Sequence, residues 1–284
     1  MPELPEVQAL VSDLGGRLTG RTVDRLDVLS FAVLKTFDPP ASALDGQVIG
    51  EISRHGKWLD IAVGELHVLV HLALMGWIKW RDEKPAPTKG LGKGPIAARL
   101  VLDDGSGLDF VEYGTKKGMA IHVVRDPKDV ERIATLGPDP LTLGLDEFTA
   151  ILKNQGRAQI KGVLRSQSLI AGIGNAYSDE ILHLAKMSPF KPASMGADDA
   201  ERLYEAMQVT LREAIARSDG LAASELKKEK KSNLQVHGRN GLPCPVCGDT
   251  VRQVIFADST FQYCPTCQTG GKPLADRVLS RLLK

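Results

Sequence analysis

Three things are scarce in this 284-residue chain: net charge, uninterrupted apolar sequence and cysteine. Lys and Arg number 36 against 35 Asp and Glu, a formal charge of +1, which argues against an all-over basic coat. The longest apolar stretch, 66–78, is broken by His67 and His71 and is shorter than the ~20 residues a bilayer-spanning helix needs. No membrane partner is expected. The start, Met1-Pro2-Glu3-Leu4-Pro5-Glu6, carries two acids and two prolines where a secretory leader needs a positive charge and then a continuous apolar core, so a cytoplasmic location is expected. At 43% hydrophobic and 25% charged, the composition excludes disordered, collagen-like and mucin-like chains and suits one large domain or two modest ones.

The charge that is present is unevenly placed. From Glu225 to the end, ten bases stand against five acids, so the C-terminal fifth is the basic part. All four cysteines lie there as well, in Cys244-Pro-Val-Cys247 and Cys264-Pro-Thr-Cys267, separated by 16 residues. This is paired-knuckle zinc spacing: each C-x-x-C turns two thiolates toward one point, and a hairpin through 251–263 brings the two points together. Two disulfides or a redox dithiol are the alternatives. The first lacks a secretion signal and the second a strand-to-helix context. A single Zn2+ in a closed four-thiolate site is expected, holding the ribbon's shape without supplying chemistry.

Apolar positions at Leu4, Val7, Leu10, Val11, Leu14 and Leu18 have helical spacing, with Pro5 tolerated in the first turn and Gly15-Gly16 weakening the end. From Thr22 to Val124 the pattern shortens to alternating runs punctuated by glycine, which predicts a β sandwich or barrel. Lys84–Pro95 reads as a Pro/Gly/Lys connector between strands, with a nucleic-acid-facing loop as the alternative. Beyond Gly137-Pro138-Asp139-Pro140 the spacing is helical over 148–153, 160–165, 174–185 and 198–217. The charge run 226–231 reads as a solvated linker into the ribbon, and no internal repeat is present.

Five features occur in order: the terminal Met1-Pro2-Glu3-Leu4-Pro5-Glu6-Val7, Arg54-His55-Gly56-Lys57-Trp58-Leu59 in a hairpin, His71-Leu72 on a strand, 172–180 (GIGNAYSDE) opening a helix, and the four-cysteine ribbon ending Cys267-Gln268. Together they resemble the formamidopyrimidine-DNA glycosylase and endonuclease VIII family of base-excision repair enzymes, over essentially the whole chain. The resemblance implies an α+β fold: an N-terminal helix plus β-sandwich catalytic domain over 1–135, a helical helix-two-turn-helix DNA-binding domain over 136–225, and a basic linker with a C-terminal zinc-ribbon hairpin over 226–284. It implies that loss of Met1 leaves Pro2 as a secondary amine, with an ordinary pKa of ~8, that attacks the sugar C1′ of a damaged nucleotide. The resulting iminium acidifies the C2′ proton and permits strand cleavage. Glu3 and Glu6, read as lying at i and i+3 on one helix face, are implied as proton donor and assistant, and Lys57 as the residue serving β-elimination and a phosphate contact. Lys161 and Asn175 match family phosphate contacts, Asn175 doubling as a helix N-cap. The implied partner is damaged double-stranded or partly single-stranded DNA, bound by a monomer, in association with the nucleoid in a bacterium.

Four departures shape that expectation. The hairpin position where the family usually carries an Arg is Ser259, preceded by Asp258. The family's Arg-Arg-Phe-Gly wedge, which fills the gap left by a flipped base, corresponds to Tyr113–Gly118, leaving Lys116 and Lys117 as charged substitutes. The void-filling Met after His71-Leu72 is replaced by Leu74, with Met75 beside it, and a His pair is replaced around Pro95–Ala98. A glycosylase with abasic-site lyase activity, acting on oxidised purines of the 8-oxoguanine and formamidopyrimidine type or on abasic sites and yielding β-elimination products, is the leading expectation. A non-catalytic damage-binding paralogue is the alternative.

Overall fold

The computed structural model describes residues 1–85, 94–115, 117–255 and 260–275. Most of the Lys84–Pro95 connector, together with Lys116, Asp258 and Ser259, lies outside the described residues. The chain divides into two compact units, Met1–Leu136 with Ser218–Leu226, and Gly137–Arg217 with the chain from Lys227 onward.

The first unit opens with helix α1 (Leu4–Leu18), followed by strands β1 (Val23–Val28), β2 (Ile49–His55), β3 (Trp58–Val63), β4 (Leu66–His71), β5 (Gly76–Arg81), β6 (Ile96–Leu102), β7 (Gly107–Glu112) and β8 (Ala120–Val124), and a short α2 (Glu131–Ala134). The strands form two four-stranded antiparallel sheets, β1-β6-β7-β5 and β2-β3-β4-β8. Short turns join β2–β3, β3–β4 and β6–β7, while β1–β6, β5–β7 and β4–β8 pair strands distant in the chain, and the inward residues of both sheets, with Val7, Leu10, Leu14 and Leu18 of α1, share one core. Gly15-Gly16 does not shorten α1, which runs on to Leu18. Each glycine costs about 1 kcal/mol in a helix, whereas burial of Leu14 and Leu18 stabilises by about 1.5–3 kcal/mol each. Trp77, whose Nε1–H donates to the Ala223 carbonyl at 2.9 Å, ties Ser218–Leu226 to this core, where Ala223 and Leu226 are also buried.

The second unit contains α3 (Leu145–Gln155), α4 (Ile160–Arg165), α5 (Asn175–Leu184), most of α6 (Ala197–Ser218) and α7 (Leu226–Asn233), then β9 (Arg252–Ile255), β10 (Thr260–Tyr263) and α8 (Pro265–Thr269). Phe148, Leu152, Ile160, Leu164, Ile181 and Leu203 are among its core residues. Strands β9 and β10 pair as an antiparallel ribbon, with Phe261 edge-on to Phe190 at 5.5 Å. The charge run read as a linker is in fact the helix α7: Glu229 accepts from Arg217 Nε at 3.0 Å, and the Lys230 ammonium lies 4.6 Å from the Tyr177 ring centroid. Lys227, Lys228 and Lys231 are exposed, as a solvated run implies, and Lys230 is partly covered.

Candidate functional site

In the first unit the expected catalytic residues gather at the start of α1 and in the β2–β3 turn. Pro2, Glu3 and Glu6 are all buried. Glu3 stands one position before the helix, as its N-cap, and not on the helix face with Glu6 as the spacing suggested. The two close a capping box, in which the Glu3 backbone N–H donates to Glu6 Oε2 at 2.8 Å and the Glu3 side chain faces the Glu6 backbone N–H. The box satisfies helix-start donors and fixes the backbone next to Pro2.

The β2–β3 turn has two central residues, Gly56 and Lys57, between the paired His55 and Trp58. Gly56 has φ 57°, as a type II′ hairpin requires at its first central position. Lys57 is consequently held at a fixed point, only 8% exposed. Arg54, at the end of β2, donates from Nε to Gln8 Oε1 at 2.7 Å, fastening the hairpin to α1. Behind it, the buried Asp60 carboxylate meets His55 Nε2 at 2.9 Å and His67 Nδ1 at 2.8 Å. The His71 ring packs 4.9 Å from Trp58. Burial, and secondarily the charges of Lys57 and Arg132, lower its pKa to about 4, so it is an uncharged imidazole at neutral pH.

After His71 the chain makes a tight turn into β5. Ala73 has φ 51°, and Gly76 N–H donates to the Leu72 carbonyl at 2.9 Å. A Cβ on Gly76 would lie 2.1 Å from that carbonyl oxygen, so glycine is required there. The turn projects Leu74 and Met75 outward, 63% and 42% exposed. Tyr113, 41% exposed, lies beside them, its N–H 3.5 Å from the Met75 carbonyl and its hydroxyl accepting from Lys79 Nζ at 2.9 Å. Sequence reading found no aromatic in this region to serve as a wedge, yet Tyr113 is an exposed one. The loop carrying exposed Lys117 is anchored by the buried Glu112 carboxylate, which accepts from Gly118 N–H at 2.7 Å and Met119 N–H at 2.9 Å.

In the second unit, Lys161 and Asn175 are turned inward. Lys161 is 5% exposed, and its ammonium donates to Asp179 Oδ1 at 2.5 Å and Ser178 Oγ at 2.8 Å. Gly174, and not Asn175, is the N-cap of α5, and Asn175 Nδ2 donates to the Thr260 carbonyl at 2.6 Å. Asp179 Oδ2 also meets His237 Nδ1 at 2.7 Å and the Gln262 N–H at 3.2 Å. Glu180 accepts from the backbone N–H groups of Gln235, Val236 and His237 at 2.7–3.0 Å, while burial raises its pKa against those bonds. Sequence reading missed Asp179, Glu180 and His237. The available signal was the polar stripe at 175, 179 and 183, one face of α5 at helical spacing.

The four cysteine sulfurs lie within 4.8 Å of one another, with Cys244–Cys267 at 3.9 Å and Cys247–Cys264 at 3.3 Å. Tetrahedral zinc with bonds of about 2.3 Å places its sulfurs about 3.8 Å apart, so the donor set fits one structural Zn2+. When bound, the ion crosslinks the two knuckles and leaves no open coordination position.

Known proteins match the chain along its length. The family models described as "Formamidopyrimidine-DNA glycosylase N-terminal domain", "Formamidopyrimidine-DNA glycosylase H2TH domain" and "Zinc finger found in FPG and IleRS" match residues 1–114, 136–225 and 241–270. A formamidopyrimidine-DNA glycosylase of Chloroflexus aurantiacus is 31% identical over 281 residues, covering 94% of this chain and 98% of its own. An uncharacterized formamidopyrimidine-DNA glycosylase-like protein of Mycobacterium tuberculosis is 60% identical over 151 residues, 52% of this chain and 94% of that one. Lactococcus lactis Fpg, solved in complex with DNA containing an abasic site, superposes with TM-score 0.82 at 25% identity, covering 94% of this chain and 99% of that chain. The MutM (FPG) protein of Thermus thermophilus gives 0.78 at 31% identity, covering 96% of this chain and 100% of that chain.

Proposed function

The chain belongs to the formamidopyrimidine-DNA glycosylase family and is a base-excision repair glycosylase, and we propose that Pro2 is its nucleophile, with Glu3, Glu6 and Lys57 completing the reaction. The observation that carries this reading is the buried capping box at the chain start, joined through Gln8 and Arg54 to the turn that holds Lys57.

In this scheme, removal of Met1 leaves the Pro2 nitrogen as a free secondary amine, and its lone pair forms a bond to C1′ as the glycosidic bond breaks. The C1′–O4′ bond also breaks, opening the sugar ring to an iminium; Glu3 delivers the proton that departs with the base or goes to O4′, and the proton lost by the Pro2 amine goes to the other. Glu6, whose carboxylate holds the Glu3 N–H, keeps that acid in place. The iminium so formed acidifies C2′, Lys57 serves the proton transfer, and the C3′–O bond breaks by β-elimination. With Ser259 at the hairpin position, β-elimination products dominate over products of a second elimination.

The exposed Leu74, Met75 and Tyr113 are the side chains available to enter a base stack, where apolar insertion stabilises a kinked duplex. His71 and Lys117 support them from the neighbouring strand end and loop, and Lys116 is assigned to the same group. Asn175 and Lys161 shape the start of α5, Lys161 as an internal brace, so that backbone N–H groups there meet phosphate. The substrates are oxidised purines or abasic sites in DNA, and the protein works as a monomer in the cytoplasm. Among the described residues no helix is long and apolar enough to cross a membrane.

The test is borohydride trapping on a duplex with one abasic site. A covalent protein–DNA band that disappears in Pro2→Gly supports the amine. Binding of the same duplex without any band favours a non-catalytic damage-binding paralogue, the reading that Ser259 supports.

A further inference from the structure

One buried contact joins the second unit's helix to its metal ligands and belongs to neither the nucleophile nor the cysteine set. His183 Nε2 lies 3.3 Å from Cys244 Sγ, and both residues are buried. We propose that His183 is a positioning residue for the zinc site, donating its Nε2–H to the metal-bound thiolate of Cys244 and so coupling metal occupancy to α5.

A thiolate is only an acceptor, so an imidazole nitrogen this close to it is stable only as the protonated one. That choice of tautomer follows from contact with the sulfur. The imidazole is not an additional ligand: the four sulfurs already form a closed set within 4.8 Å of one another, and a structural zinc site has four places. Hydrogen bonds to ligating atoms orient them and tune the metal, and losing such a partner typically costs 10–100-fold in affinity.

The placement of His183 makes the contact consequential. It lies on the same face of α5 as Asn175 and Asp179, at steps of four and eight residues. Asn175 bonds the Thr260 carbonyl, Asp179 the Gln262 N–H and His237, and Glu180 the backbone of 235–237. Those bonds end on the backbone and side chains of the ribbon, whereas the His183 bond ends on a metal ligand, Cys244 Sγ. It therefore ties a metal ligand directly to a side chain of the helix that opens at Asn175.

The experiment uses the full-length zinc protein, with His183→Phe, which keeps ring shape without a donor, and His183→Gln, which restores an N–H. Zinc affinity is read by competition with a chromophoric chelator. The expected result is a loss of about 10–100-fold in His183→Phe and partial recovery in His183→Gln. In cobalt-substituted protein, the sulfur-to-metal charge-transfer band of His183→Phe shifts while the four-sulfur ligand-field pattern is retained. Unchanged affinity in a folded His183→Phe overturns the proposal, and so does a parent spectrum of three sulfurs and one nitrogen, which makes His183 a ligand. A measurement on the parent protein covers the case in which the variants do not fold: long-range 1H–15N correlation of the imidazoles is expected to show His183 protonated at Nε2, and a proton at Nδ1 alone refutes the bond.

Discussion

Lys161 gives the sharpest separation between a residue that touches DNA and one that holds the protein together. Its ammonium sits in a buried pocket with Asp179, which is itself 0% exposed. Lys161→Met removes one partner of a buried ion pair, a change that costs about 3–5 kcal/mol when the remaining charge is left uncompensated. Here the Asp179 carboxylate keeps His237 Nδ1 and the Gln262 N–H, which places the expected loss at the low end, about 3 kcal/mol. At about 2–4 °C per kcal/mol, the unfolding midpoint of the second unit falls by roughly 6–12 °C. Asp179→Asn is expected to cost a similar amount, since it strands the ammonium, and the double variant less than the sum, because the two charges vanish together. The assays are calorimetric melting and salt-dependent binding of an abasic-site duplex. A phosphate contact predicts the opposite pattern: stability within about 0.5 kcal/mol of the parent and a log–log salt slope reduced by about 0.9. That pattern in Lys161→Met would refute the internal-brace argument.

Two further perturbations test the first unit. His71 titrates near pH 4 in the folded protein and near 6.5 when unfolded, so between those values the unfolded chain binds more protons. Stability is therefore expected to rise with pH from 4 to 6.5, by roughly 3 kcal/mol from this residue alone, and urea titrations of His71→Phe across that window should give a flatter profile. An unchanged slope would mean that desolvation and the charges of Lys57 and Arg132 do not hold the half-buried His71 imidazole neutral. The pair Leu74→Ala and Met75→Ala removes exposed side chains and leaves the core intact. Excision of a base from duplex DNA is expected to slow by about 10–100-fold, in line with the few kcal/mol of unstacking that an inserted side chain offsets, while cleavage at a preformed abasic site changes little. Equal slowing of both reactions would assign these residues to general DNA affinity.

What could be read from sequence, and what could not, follows from whether a demand is local. The α1 stripe at Leu4, Val7, Leu10, Leu14 and Leu18 and the two C-x-x-C knuckles are local demands, and both stand in the structure where spacing put them. The glycine of the β2–β3 turn, Gly56, is local too, because its positive φ suits glycine; that Gly76 is required shows only once the Leu72 carbonyl is placed beside it. Burial of polar side chains is not local. Lys161 has the composition of a phosphate ligand and the surroundings of a core residue, and nothing in its neighbours along the chain announces Asp179 eighteen residues away or His237 beyond it. The same limit hid that α7 is a helix in which Glu229 meets Arg217 and Lys230 meets Tyr177, although Lys227, Lys228 and Lys231 are exposed as the charge run suggested.

The converse holds at Leu74 and Met75. Single exposed apolar side chains are ordinary on a protein surface, and it was the resemblance, not the apolar pattern, that set Leu74 and Met75 apart from the buried residues around them. Here the backbone supplies the distinction: a positive φ at Ala73 and an obligatory glycine at 76 force a turn that holds both side chains out of the core. Folding by itself favours burying them, by about 1.5–3 kcal/mol each. Under the proposed function, that forgone stabilisation is recovered when a partner buries both side chains, and a base stack opened by an extruded nucleotide is an apolar partner of that size.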